Sequence, residues 1–363
     1  MDNLGGVRTV EWTGGGLDVV DQTALPALRR VVLATVDDVV AAIGGLVVRG
    51  APLLGVVGAL GVALAARAPG AEPGRVRADA ERIASARPTA VNLRWGVQRA
   101  LAALDGGPDA VLATALAMLA ADVAACQALA NRGADLLARL CGPGQLTLHT
   151  HCNAGALACV DWGTALGVVR ALHERSAVRL VVVDETRPLL QGARITATEL
   201  AALGIAHRVI VDGAGPSIIA GGLVDAVVVG ADRIAANGDV VNKIGTYPLA
   251  LAAARAGRPF VVAAPESTVD TTVATGAAVP VEQRAAGEVL TMAGRRIAPP
   301  QSQAWNPAFD VTPADLVTAI VTERRVWHPA PPSPSPSPSP SASPSASPSP
   351  SATPVRADGP SAR

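Results

Sequence analysis

Residues 227–249 read VVVGADRIAANGDVVNKIGTYPL, and this stretch decides the fold. The unbroken apolar run at 226–229 lacks the alternation of a half-exposed strand, so it predicts a strand buried on both faces of a parallel sheet. Asp232 then falls just beyond the strand's carboxyl end, where open α/β sheets present their chemistry. The same stretch holds Lys243 and Tyr247, the only lysine and the only tyrosine among 363 residues. The other twenty-nine of the thirty lysine-plus-arginine side chains are arginines, so Lys243 marks a point where a compact ammonium with rotatable donors is wanted, as by a phosphate or a sugar hydroxyl. A helix-capping Asp232 and a solvated Lys243 suit these residues about equally well.

Working outward, similar runs recur at 146–149, 178–183, 208–211 and 260–263, separated by helix-length segments. That alternation predicts a parallel, doubly wound sheet. Each run ends in polar or turn residues: His151-Cys152-Asn153, Asp184-Glu185-Thr186-Arg187, Asp212-Gly213, Gly230-Ala231-Asp232 and Pro265-Glu266-Ser267-Thr268. Gathered at one sheet edge, they would line a ligand crevice. Residues 38–140 are instead rich in Ala and Leu at helical spacing, interrupted by Pro52, Pro69, Pro73 and Pro88. The expected architecture is therefore α/β: a mostly helical N-terminal domain over 1–140, then a Rossmann-like doubly wound parallel-sheet domain over 141–328. Residues 329–363 form a Pro/Ser/Ala tract too poor in apolar surface to offset its ordering entropy, and are expected to be disordered.

Half the residues are apolar and 17% are charged, which suits a globular protein with a large core. Formal net charge is zero and no basic stripe occurs, so the electrostatic footprint of a nucleic-acid binder is missing. The start carries no basic-plus-apolar leader, and Arg, Asp, Gly or Pro interrupt the apolar runs, so no membrane span is expected and the reading is cytoplasmic. Cys126, Cys141, Cys152 and Cys159 form no CxxC pair and have no histidine at zinc-ligand spacing; neither metal nor disulfide scaffold is expected. Neither GxxxxGK[ST] nor GxGxxG spacing occurs, and no cofactor is expected.

Cys152 follows a strand and precedes a run of small residues. If that run is helical, the thiol sits at the positive end of a helix dipole, which favours thiolate; a small buried core cysteine is the plainer alternative, and the one adopted for the other three. RGAPLLG, residues 49–55, places Pro52 just inside a helix start, so that backbone amides and the Arg49 guanidinium could converge on a phosphate. A surface arginine beside a turn fits as well. Gln191 and Arg194 open a further helix, Gln191 facing ligand hydroxyls and Arg194 either joining it or pairing with Asp184. Asp184, Glu185 and Arg187 read as a structural ion-pair cluster.

Together these segments resemble the methylthioribose-1-phosphate isomerases, in a broader family that includes other sugar-phosphate isomerases and regulatory subunits of the translation-initiation nucleotide exchange factor. The resemblance runs through VRTVEW, LDVVDQTALP, VVRGAPLLG, RPTAVNLRWGVQR, LTLHTHCNAGALA, VVVDETRPLLQGARITATEL, VVVGADRIAANGDVVNKIGTYPLA and WNPAFDVTPADLVTAIVTE, nearly everything before the tail. It implies Cys152 and Asp232 as the catalytic pair, and Arg49, Gly50, Ala51, Gln191, Asn242 and Lys243 as substrate contacts. An arginine after TAVNL, Arg99 or else Arg94, is implied beside them. The regulatory subunits generally do not keep the catalytic pair. The resemblance further implies a homodimer and an aldose-ketose isomerase of 5-methylthioribose 1-phosphate in methionine salvage; the rival readings are isomerisation of 5-deoxyribose 1-phosphate or ribose 1,5-bisphosphate, and a non-catalytic sugar-phosphate-binding subunit. One departure is VDGAGPSIIA, residues 211–220, which lacks an expected Asn-Met-Ala run and is read as altering the pocket around the sugar's 5-substituent.

Overall fold

The computed structural model describes residues 8–88 and 90–329; the expected disordered tail lies, except for Pro329, outside the described residues. The chain opens with a three-stranded antiparallel sheet, β1 (Val10–Thr13), β2 (Gly16–Val20) and β3 (Arg30–Leu33), which the sequence reading does not anticipate. Helices follow: α1 (Val36–Gly44), α2 (Ala51–Ala66), α3 (Pro73–Ser85), α4 (Val91–Leu101) and α5 (Pro108–Cys141). α1 starts at a capping box in which Thr35 and Asp38 each satisfy the other's backbone amide. α2 is apolar on almost every side because it is the centre of this layer, packed against α1, α3, α4 and α5.

The second half alternates as expected: β4 (Leu146–Thr150), α6 (Ala165–Glu174), β5 (Val178–Asp184), α7 (Ala197–Ala202), β6 (His207–Ile210), α8 (Gly215–Ala220), β7 (Ala226–Val229), then β8 (Arg233–Ala235), β9 (Val240–Lys243), α9 (Thr246–Arg255), β10 (Phe260–Ala263) and β11 (Val269–Asp270). The described chain closes with α10 (Ala286–Leu290), the hairpin strands β12 (Thr291–Met292) and β13 (Arg295–Arg296), and β14 (Phe309–Thr312), β15 (Ala319–Val321) and β16 (Val326–Trp327). The main sheet runs β16-β15-β10-β7-β4-β5-β6, parallel except for β16. β7 and β10 occupy the very residues that the apolar runs mark, and both are fully buried.

From β4 the chain adds β5 and β6 on one side, then returns to place β7 on the other. The strand order therefore reverses between β4 and β7, which pair through Leu148 with Ala226 and His149 with Val227. A crevice opens at such a reversal because the two connections leave in opposite directions. Beyond it stands a second sheet, β11-β8-β9-β14, whose strands of two to four residues are too short to read from periodicity.

α5 ties the layers together. Val111, Ala115, Met118 and Leu119 join the helical core, whereas Leu129, Ala130, Ala134 and Leu137 pack against α6 and the sheet. Among the described residues this helix is long and apolar enough to cross a bilayer by length and composition, although Asp122 interrupts its apolar run as the sequence reading expects. Its buried positions nevertheless follow the stripe of a core helix.

Candidate active site at the strand-order reversal

The residues after β4 and β7 face one open cavity, whose empty space together with its solvent mouth is about 780 Å³. Its walls bring together Cys152, Asp232, Arg49, Gly50, Ala51, Gln191, Asn242 and Lys243, all expected at the site from sequence. Arg99 does not join them. It is exposed on α4 and stacks on Trp95 at 5.8 Å, while Arg94 pairs with Glu81. The arginine that lines the cavity from this motif is Arg87, at its head, and Arg284 adds another. Arg87 sits in the turn before α4, where helical periodicity says nothing; its place as first residue of RPTAVNL was the available signal.

Cys152 is 8% exposed and adopts a left-handed backbone, φ +59°, which is rare for a residue with a side chain. Two threonines pin it there: its amide donates to Thr186 Oγ1 at 2.9 Å and its carbonyl accepts from Thr196 Oγ1 at 2.6 Å. The next turn is fixed by Glu199, which accepts from Asn153 Nδ2 at 2.8 Å and from the Ala156 and Leu157 amides. The expected helix dipole at Cys152 is absent. A bend and the three-residue 3-10 turn Ala156–Ala158 stand in its place, because the buried glutamate takes the amides of this segment.

Arg49 donates to Asn153 Oδ1 at 2.9 Å and to its carbonyl at 2.7 Å, tying the RGAP turn to the Cys152 loop. Gly50 caps α2 at φ +104°, and a Cβ there would overlap the Ala158 carbonyl, so only glycine lets the two turns meet. Gln191 is buried and its Oε1 has no hydrogen-bond partner among the described residues, an acceptor left for a ligand hydroxyl. Asn242 donates to Thr246 Oγ1 at 2.9 Å.

Lys243 is 8% exposed rather than solvated, with its ammonium 4.8 Å from the centre of the Phe309 ring, its partner across β9 and β14. Burial pulls its pKa down, against the opposing pull of Cys152 and Asp232. Burial likewise pushes the Asp232 carboxyl above its ordinary value, although Lys243, Arg87 and Arg49 all draw it down. The site thus offers a thiol, a carboxyl biased toward its protonated form, and cations around them.

Three expectations at the neighbouring strand ends are corrected. Arg194 neither lines the cavity nor pairs with Asp184; it donates to the carbonyls of Leu189, Gln22 and Leu25. Asp184 pairs with His149 and His151, and Arg187 donates to the carbonyls of Glu288 and Val289, so the Asp184-Glu185-Arg187 cluster is not formed. The divergent segment 211–220 contributes no wall to the cavity.

A thiol and a carboxyl lining one cavity amid cations, at the carboxyl edge of a parallel sheet, define a protein of α/β class with a polar crevice at its strand-order reversal. The chain belongs to the Initiation factor 2 subunit family, whose model matches residues 33–329. Over 309 residues it is 54% identical to a methylthioribose-1-phosphate isomerase of Anaeromyxobacter dehalogenans, covering 85% of this chain and 89% of the relative. A probable bifunctional methylthioribose-1-phosphate isomerase/methylthioribulose-1-phosphate dehydratase of Nocardia farcinica is 54% identical over 88% of this chain, which spans 59% of that relative's length. Among solved structures, the 5-methylthioribose 1-phosphate isomerase of Pyrococcus horikoshii superposes with TM-score 0.80 at 38% identity, over 89% of this chain and 92% of the other. The translation initiation factor eIF-2B, subunit delta, of A. fulgidus gives 0.79 at 39%, over 89% and 96%.

Proposed function

We propose that the protein is an aldose-ketose isomerase that converts 5-methylthioribose 1-phosphate to 5-methylthioribulose 1-phosphate, the methionine-salvage step. The observation that carries this reading is the placement of Cys152 and Asp232 on opposite sides of one strand-order reversal, lining one cavity. Phosphate on the anomeric oxygen blocks spontaneous opening to the aldehyde, so the enzyme must assist. Asp232, its carboxyl biased toward the protonated form by burial, gives its proton to the ring oxygen as the bond from that oxygen to C1 breaks. The C2 hydrogen then moves to C1, either as a proton carried by Cys152 or as a hydride, while the 2-hydroxyl proton passes to the Asp232 carboxylate, restoring the acid, and C2 becomes a carbonyl. Arg49, Arg87, Arg284, Lys243, Gln191 and Asn242 hold phosphate and hydroxyls and fix the geometry.

A second cavity of about 490 Å³ shares Gly50, Ala51, Arg87, Asp232 and Phe309 with the first. Leu54, Ala90, Val241, Val279 and Pro280 supply most of its remaining wall. A methylthio group suits that surface better than a second phosphate, and Arg233, which also lines it, is already paired with Asp270. The test is turnover by purified protein on 5-methylthioribose 1-phosphate, 5-deoxyribose 1-phosphate and ribose 1,5-bisphosphate, with Cys152→Ser and Asp232→Asn in parallel. The reading expects the highest kcat/KM with the methylthio sugar and a fall in kcat for each variant; turnover of none of the three sugars by the unmodified protein would leave the binding-subunit reading. Deuterium entering product from solvent separates proton transfer from hydride shift.

We further propose two domains, 1–140 and 141–328, whose helical and sheet cores meet along α5, as well as a homodimer, to be checked by light scattering, and a cytoplasmic location.

A further inference from the structure

His151 lines the same cavity but its ring is turned into the protein, 1% exposed. Nδ1 lies 2.7 Å from Asp184 Oδ2, and Nε2 lies 2.8 Å from the Ile244 carbonyl oxygen. A carbonyl oxygen only accepts, so Nε2 carries a hydrogen. Asp184 accepts as well: burial works to raise its pKa, but the bonds from His149 and His151 outweigh burial and hold the carboxyl below its ordinary value. A carboxylate leaves Nδ1 no role but donor, and a neutral imidazole has only one N–H to give.

We propose that His151 is a buried imidazolium, ion-paired with Asp184, that ties the Cys152 loop to the Lys243 turn and sets a fixed positive charge at the cavity floor for use in turnover. The use in turnover rests on the isomerase reading; the charge state does not. His149 is the neutral member of the trio. It donates from Nε2 to Asp184 Oδ1 at 2.9 Å, and its buried Nδ1 meets no partner among the described residues, as suits a bare nitrogen.

The charged and titratable groups around the ring are Asp184 and His149 from β5 and β4, Asp212 after β6, which accepts from the Thr186 and Arg187 amides, Asp310 from β14, and Cys152 and Lys243 on the two segments it joins. Asp310 is engaged by the Gly245 and Tyr247 amides. Gly245, at φ +107°, lies so close that a Cβ would come within 2.6 Å of the imidazole, so the turn after Lys243 is built around this ring. With both N–H groups spent on protein, His151 passes no proton to substrate. It is a positioning residue, acting on the Cys152 and Lys243 segments and, through space, on negative charge that develops at the reacting carbons.

Asp184→Asn separates charge from structure. The amide oxygen accepts from His149 Nε2 and the amide nitrogen donates to His151 Nδ1, so every hydrogen bond survives with a neutral imidazole. In histidine-¹⁵N-labelled wild-type protein at about pH 8, one of the five histidines should show protons on both ring nitrogens, assigned by its loss in H151Q. D184N should abolish that signature and lower kcat about tenfold or more, with KM and Tm nearly unchanged. A singly protonated His151 in wild type, or D184N turnover within about twofold of wild type, overturns the proposal. Should D184N fail to fold, the wild-type spectrum still decides the charge state. Wild-type protein inactive on all three sugar phosphates would sink the isomerase reading and the use in turnover with it, while the spectrum still tests the charge state.

Discussion

Replacing Arg87 and Arg99 separately by alanine sets the structure against the spacing of the sequence motif. Arg87 lines both cavities and lies 3.8 Å from Glu282, with Asp232 among the charges that act on it. Burial lowers its pKa, so the guanidinium is incompletely hydrated and gains correspondingly from an anionic ligand. A charged hydrogen bond to phosphate contributes about 1.5–3 kcal/mol, so R87A should lower kcat/KM by roughly tenfold to 150-fold. It also removes one of the cations that draw Asp232 down. The Asp232 carboxyl should therefore rise further, and the alkaline limb of the kcat/KM profile should move to higher pH. R99A loses only an exposed stacking contact with Trp95, about 0.5–1 kcal/mol of stability, and should leave kcat/KM within about twofold. Initial rates across a pH series measure both effects. Equal losses in the two variants, or an R87A profile that overlays wild type, would refute the assignment of Arg87 to the site.

Gly50→Ala should lower kcat/KM by about tenfold or more, because the methyl group must push the RGAP turn off the Ala158 carbonyl and carry Arg49 with it; unchanged steady-state kinetics would show the turn to be pliant. Lys243→Arg should cost a similar factor in kcat/KM despite the conserved charge, since a planar fork replaces a compact ammonium in a buried position over Phe309; wild-type rates would refute the need for an ammonium. Asp122 is pushed from 3.8 to about 6 by burial, against the Val160 amide that donates to it. The folded state then holds the proton more tightly than the unfolded chain, so stability is fully present below about pH 3.8 and declines as pH rises to about 6, by at most about 3 kcal/mol and less where solvent reaches the group. Asp122→Asn keeps an acceptor for Val160 and should raise Tm at about pH 7.5 but not at about pH 3.5 in calorimetry; equal shifts at both would refute the linkage.

Legibility in the sequence follows physical cause. The strands at 226–229 and 260–263 were readable to the residue because burial on both faces tolerates only apolar side chains and the polar break at each end is abrupt. Asp232 and Cys152 inherited their places from those strand ends. The short strands around Lys243 were not readable, since two to four residues carry no period. Nor was the conformation at Cys152: Asn153-Ala154-Gly155-Ala156 suits a helix start by composition, and what prevents one is Glu199, a tertiary contact over forty positions away. Arg284 reaches the cavity from a region with little regular structure, held by Glu282 and Glu288, and periodicity offers no handle on it. Arg87 was readable in principle, as the first residue of a motif already singled out, but its turn position hid it behind two arginines on the following helix.

The electrostatics around Asp232 make substrate binding itself a determinant of the acid's strength. Burial raises the carboxyl, while Lys243, Arg87 and Arg49 pull against burial. A phosphate bound among those same cations brings negative charge to the place where theirs acts, so their pull on Asp232 is offset and burial is left less opposed. Substrate also displaces water from the cavity, which works in the same direction. The carboxyl should thus hold its proton more tightly in the complex than in the free enzyme, which is what a general acid for ring opening requires. Because kcat/KM reports the free enzyme and kcat the complex, the alkaline limb of kcat should lie at higher pH than that of kcat/KM. In R87A part of the offset is already lost, so the separation of the two limbs should shrink. Coincident limbs in wild type, or a kcat limb at lower pH, would mean that the cations around Asp232 do not share the phosphate with it, and that the acid for ring opening is another group.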